Sequence, residues 1–220
     1  DHIDGYYRWL QQFEESEWEN RMKWIVSKTK EAGVWIVPTQ ALWETIIGAA
    51  DYEAMKEYEE LKYIPQAVRR NYFNYVTNNI SDNTDSETQE TVKQAEWRRR
   101  FLQEMNEQEV RILMGTDAPQ LFSVPGFSIH RELPHMEEAG MTPYEILESG
   151  TANVGSYFSN EDDFGTLVAG QRADLLLLND NPLESIANLK DHAGVMVQGR
   201  WYSREMIDNK LKEIESAYAE

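Results

Sequence analysis

"ILMGTDAP", residues 112–119, is the stretch on which the reading of this chain turns. The apolar run Ile112-Leu113-Met114 breaks at Gly115 and delivers a carboxylate, Asp117, just past its end. Leu and Met favour burial, and an ionised Asp at the mouth of a buried strand is costly unless something pairs with it. Thr116-Asp117-Ala118-Pro119 is also good turn chemistry, so a plain turn residue is the local alternative.

Working outward, a strand is expected over 110–114, preceded by a helix over about 88–107. Upstream, residues 7–32 read as a helix that stops at Ala32-Gly33. Residues 34–38 form a short β-branched run of the kind found in strands buried on both faces. Residues 41–76 read as mostly helical and rich in aromatics, and 78–90 as a polar loop. Helix, strand, helix, strand in that order implies parallel strands joined by crossover helices. Downstream, a helix is expected from near Ile129 to Gly140. Two short helices follow over 142–158, with Thr142 and Thr151 as N-caps. Residues 164–178 read as a hairpin turning at 169–172, and 194–202 as strand interrupted by a Gly-containing turn. Residues 203–220 form an amphipathic helix capped by Ser203.

The chain has 220 residues, room for one large domain or two small ones. Its 41% hydrophobic and 27% charged residues are a globular composition. With 39 acidic against 21 basic side chains the formal charge is −18. Such a surface repels phosphate backbones and anionic lipid, which argues against nucleic-acid and membrane-surface binding. The absence of cysteine excludes disulfides, thiolate metal sites and cysteine nucleophiles. No apolar run approaches the ~18 residues of a spanning helix. No compartment follows from the sequence, and a soluble protein, cytoplasmic or exported, is the expectation.

Three motifs occur in order. They are Gly115-Thr116-Asp117, the His130-Arg131-Glu132-Leu133 helix, and Gly170-Gln171-Arg172-Ala173-Asp174 followed by Leu175–Leu178. Over residues 115–201 the chain closely resembles the C-terminal third of the amidohydrolase superfamily, nearest its imidazolonepropionase-like and prolidase-like members. "DHIDGY" at 1–6 and "VWIVPT" at 34–39 resemble the family's sixth and seventh barrel strands. The fold this implies is α/β. It is the C-terminal part of a TIM (β/α)₈ barrel, strands six to eight, plus the C-terminal strands of a small flanking β-sandwich. The implied division is 1–160 partial barrel, 161–202 sandwich strands and 203–220 C-terminal helix.

The resemblance also implies a site. Catalytic groups of such barrels sit where strands end and loops begin. His2 matches the family's strand-six metal ligand, and Asp117 the carboxylate after strand eight that touches the metal-bound water and acts as general base, so His2 and Asp117 are the implied metal-site residues. The implied cofactor is a divalent metal, zinc by expectation, one or two ions in the intact enzyme. Thr39, Gln40, Trp43, Pro119, Phe127 and His130 are the substrate-pocket candidates. His2 read alone is a solvated histidine, His135 a surface residue and His192 solvated. The implied reaction is hydrolysis of a C–N amide or cyclic-amide bond, with an amide, dipeptide or cyclic amide as substrate.

The family's remaining metal ligands, a His-x-His pair among them, have no counterpart here. A complete barrel takes roughly 250 residues, and about three of its strands can be counted before residue 150. The expectation is a C-terminal portion of an enzyme, inactive and metal-poor by itself, whose partner is the N-terminal half of the barrel. Exposed strand edges would favour homo-oligomers. A non-catalytic interaction module is the alternative. A carbohydrate-active protein is weaker, since it needs two carboxylates about 5–9.5 Å apart and only Asp117 lies at a strand end.

Overall fold

A computed structural model describes residues 15–79 and 85–219. Helix α1 (Glu15–Glu31) ends where Gly33 takes a positive φ of 63°, and β1 (Trp35–Ile36) follows. Four helical segments come next: α2 (Gln40–Ile47), α3 (Tyr52–Lys56), a 3₁₀ turn (Glu59–Tyr63) and α4 (Gln66–Asn79). Helix α5 (Asp85–Glu107) then leads into β2 (Arg111–Ile112). The two strands pair in parallel, Trp35 opposite Arg111 and Ile36 opposite Ile112, as the alternation of elements implies. Both are shorter than expected, two residues each.

The run at 34–38 is not buried on both faces. Val34 and Val37 are exposed, and β1 has a neighbour on one side alone among the described residues. The polar loop expected over 78–90 is also shorter, because α4 extends to Asn79 and α5 begins at Asp85.

Beyond β2 come α6 (Ile129–Glu138), α7 (Pro143–Gly150) and α8 (Ala152–Tyr157). Thr142 caps α7 in a full capping box: its hydroxyl accepts the Glu145 N–H while the Glu145 carboxylate accepts the Thr142 N–H at 2.7 Å. Thr151 stands at the start of α8 but caps nothing, because its hydroxyl donates back to Leu147 O at 2.6 Å.

The expected hairpin over 164–178 does not form. Leu167 and Val168 are exposed, and β3 (Leu175–Leu178) pairs antiparallel with β4 (His192–Val197) instead. β4 turns through Gln198 and Gly199, both at positive φ, and pairs antiparallel with β5 (Arg200–Ser203), so the strand read over 194–202 is interrupted at its glycine as expected. Helix α9 (Arg204–Ala217) is capped by the Ser203 hydroxyl, which accepts the Met206 N–H.

Two cores hold the fold together. The larger joins α1, α5, β2, α6 and α7 through Val26, Leu102, Ile112, Met136 and Ile146, with Ile186 closing it from the 3₁₀ turn (Ile186–Lys190). The second gathers the aromatics of 52–76 around Phe122, whose ring meets Tyr52, Tyr72 and Phe73 at 5.5–6.2 Å. Those aromatics are packing groups. No helix among the described residues is long and apolar enough to cross a membrane.

Candidate active site at the strand ends

The chain leaves β1 through Val37-Pro38-Thr39 and enters α2 at Gln40. Thr39 is buried and takes a left-handed backbone, φ 45° and ψ 45°, which is strained for a β-branched residue. Glu132 holds the turn in place. It is fully buried on α6, and its two carboxylate oxygens accept the N–H groups of Gln40 at 2.8 Å and Ala41 at 2.9 Å. These are orphan donors of the α2 N-terminus, so one carboxylate satisfies both and faces the positive end of the helix dipole. Burial pushes the Glu132 carboxyl above its ordinary range, while the two N–H groups pull the other way. Arg98 of α5 clamps the same turn, donating to Pro38 O and Gln40 Oε1, both at 3.1 Å, and its guanidinium lies 4.6 Å from the Trp43 ring centroid.

β2 leaves differently. Past Met114 the chain passes Gly115 and Thr116 to Asp117, which is exposed and also left-handed, φ 52°. Asp is among the few residues that tolerate this conformation. Asp117 Oδ2 accepts Gln120 Nε2 at 2.7 Å, and Oδ1 accepts no hydrogen bond among the described residues. The burial cost that the sequence raised is thus avoided by solvent exposure.

The pocket candidates do not converge on one place. Gln40 and Trp43 line a cleft of about 340 Å³ walled by Trp18, Trp97 and Phe101. His130 lines a second cleft, about 360 Å³, that reaches Thr116 beside Asp117. Phe127 stacks on Tyr63 at 5.0 Å in the second core, and Pro119 is exposed on the loop after Asp117. His2 lies outside the described residues.

His135 is not a surface residue: it lines the second cleft, with Nδ1 3.4 Å from Glu44 Oε1. His192 is half-buried with Nε2 3.1 Å from Arg204 Nη1, and burial and that guanidinium lower its pKa. Glu132 is the residue that sequence reasoning missed. Its signal was present: Ile129, Glu132, Leu133 and Met136 share one stripe of α6, so a carboxylate stood at a core position.

A family model for amidohydrolases matches residues 11–202. The chain belongs to the amidohydrolase family. No curated protein matches it. Among solved structures it is similar to bottromycin amidohydrolase, with a TM-score of 0.70 and 20% identity over 95% of this chain and 46% of that one. It is also similar to a Xaa-Pro dipeptidase with methionine bound in the active site, with a TM-score of 0.55 and 22% identity over 81% of this chain and 36% of that one. The chain spans less than half the length of either. The mixed α/β architecture of this amidohydrolase-family chain fits part of a TIM-barrel-type fold.

The divalent metal of this family can be tested against the donors present. Among the described residues no three His, Asp or Glu side chains gather to hold an ion. Asp117 has an amide, Gln120, at its side rather than a second ligand. The described residues therefore do not fit a metal by themselves.

Proposed function

We propose that the chain is the C-terminal, strand-six-to-eight portion of a barrel that hydrolyses C–N amide bonds, with Asp117 as the general base and the three-stranded sheet as part of a flanking sandwich. The observation that carries this reading is the Asp117 carboxylate. It stands exposed at the C-terminal end of β2, one oxygen held by Gln120 and the other free of any hydrogen bond among the described residues. Strand ends of this kind carry the chemistry of barrels, and a carboxylate with one anchored and one free oxygen suits a group that takes a proton from water and returns it to a leaving amine. The names of the similar structures, a Xaa-Pro dipeptidase and bottromycin amidohydrolase, support an amide or dipeptide as substrate.

Zinc and a His2 ligand belong to the same reading. The 220 residues alone are accordingly expected to bind zinc weakly and to hydrolyse no amide. Purified chain incubated with zinc is assayed for bound metal and for turnover of N-acyl amino acids and dipeptides. Stoichiometric zinc together with turnover would overturn the inactive-portion reading. In an active barrel containing these residues, Asp117→Asn is expected to lower kcat by about 10²–10⁴-fold. An unchanged kcat removes Asp117 from the base role.

A second reading, association with another chain, is favoured by the sheet edges. Ile112 O accepts Asn153 Nδ2 at 3.0 Å and the Met114 N–H donates to Ser149 O at 3.0 Å, so the outer side of β2 is covered by its own chain. On β1, Ile36 O is used by the Leu113 N–H, and among the described residues no strand pairs with the other side, where Val34 and Val37 are exposed. Light scattering after size exclusion tests it: a strict monomer at high concentration counts against self-association.

A further inference from the structure

The cleft that reaches Thr116 is lined by charged groups, and most of them are already committed. Arg131 donates from Nε to Glu60 Oε1 at 2.7 Å, with Nη2 2.6 Å from the same oxygen, and its guanidinium lies over the Tyr58 ring. Glu44 faces His135 Nδ1 at 3.4 Å and Arg99 Nε at 3.9 Å. Asp51 accepts the Ala54 N–H as the N-cap of α3. Glu44 Oε1 and His135 Nδ1 face each other at 3.4 Å, both buried without a hydrogen-bond partner, and two further groups stand apart from these pairs. Lys190, at the end of the 3₁₀ turn before β4, lines the cleft with no carboxylate within ion-pair distance among the described residues. His130 faces it from α6, its Nδ1 buried without a hydrogen-bond partner.

The fields at His130 agree with a cationic corner. Burial, Lys190, His192 and Arg131 all hold its pKa down, and Glu60 opposes them. A neutral imidazole beside an unpaired ammonium offers one hydrogen-bonding ring and one full charge. Together they match a single carboxylate, whose charge Lys190 compensates and whose oxygens have a donor to face. A cleft of about 360 Å³ is at the small end of pockets that take small molecules.

We propose that this cleft is a carboxylate subsite, in which Lys190 and His130 hold the acid end of a small-molecule ligand whose remaining part extends past Thr116 toward Asp117. The proposal rests on the hydrolase reading for the direction in which the ligand lies, and on the cleft alone for the site. Binding is therefore measured without turnover, so that a failed subsite and a failed hydrolase assignment give different results.

The probe is N-acetylglycine, titrated into the 220-residue chain while the imidazole resonances are followed by NMR, with glycinamide as a probe lacking the carboxylate. Saturable movement of the His130 resonances by N-acetylglycine and none by glycinamide is expected. Lys190→Met, which keeps an apolar stem at an exposed position, is expected to raise the Kd at least 10-fold with an unchanged circular dichroism spectrum. His130→Gln, which keeps a donor, is expected to raise it less. Equal response to both probes, equal affinity of inorganic phosphate, or an unchanged Kd in Lys190→Met would each overturn the proposal.

Discussion

Thr39 and Asp117 each take a left-handed backbone just past the end of a strand, at φ 45° and 52°. The first is buried and surrounded: Glu132 holds the two N–H groups that follow it, and Arg98 holds the carbonyl before it. The second is exposed, and among the described residues its carboxylate is held by Gln120 alone. The same backbone strain, of order 1–2 kcal/mol for a non-glycine residue, is fixed by the protein interior at one strand end. At the other it falls on a residue type that accepts it. The comparison separates a turn that is built into the fold from a carboxylate that the fold presents to solvent.

Removing the clamp should break the first turn. Glu132→Ala leaves one buried and one part-buried N–H donor at the α2 terminus unsatisfied and opens a cavity, so a loss of about 3 kcal/mol or more is expected in urea unfolding. A loss under about 1 kcal/mol would show that the turn holds itself. Glu132→Gln should cost less, and it also tests the charge. Burial raises the folded-state pKa of Glu132 above its ordinary 4.5, so on raising pH the unfolded chain loses this proton first. Its contribution is present in full below about pH 4.5 and is lost as pH rises through the higher folded value. Urea midpoints measured across that window should fall with pH in the wild type and less steeply in Glu132→Gln.

Arg98→Met comes next in size. It removes hydrogen bonds to Pro38 O and Gln40 Oε1 and the stack on Trp43 while keeping an apolar stem, and about 1–2 kcal/mol is expected. Gly115→Ala is smaller. A Cβ there would lie 2.5 Å from Val37 Cγ1, where the two strand ends touch, but Val37 is exposed and its side chain can turn away. Less than about 1 kcal/mol is expected, in contrast to the 1–3 typical of overpacking a rigid core. A larger loss would mean that Val37 is held more firmly than its exposure implies.

How far the sequence could be read follows the range of the interactions involved. Thr142, Ser203 and the 194–202 turn depend on neighbours a few residues away, and each was legible from local chemistry. The parallel pairing of β1 with β2 was legible from the alternation of elements alone. The partner of Leu175–Leu178 was not, because the adjacent apolar residues Leu167 and Val168 looked equally suitable, while the strand that pairs with it among the described residues is β4. Asp117 could be singled out because a carboxylate after an apolar run is conspicuous. Glu132 was passed over although it occupies a core position of α6, because its partners are backbone groups 91 and 92 residues away.

The exposed strand end makes the opposite prediction from the buried one. Asp117→Asn keeps a residue that tolerates φ 52° and an oxygen able to accept from Gln120, and it changes nothing in either core. Its effect on stability should stay within about 0.5 kcal/mol, measured by the same urea titration as Glu132→Ala. The two carboxylates thus sort by what their removal does: one holds up the fold, and the other can be exchanged without disturbing it. A stability change of 1 kcal/mol or more in Asp117→Asn would place this carboxylate among the groups that build the turn, and its availability for chemistry would have to be argued from a different oxygen.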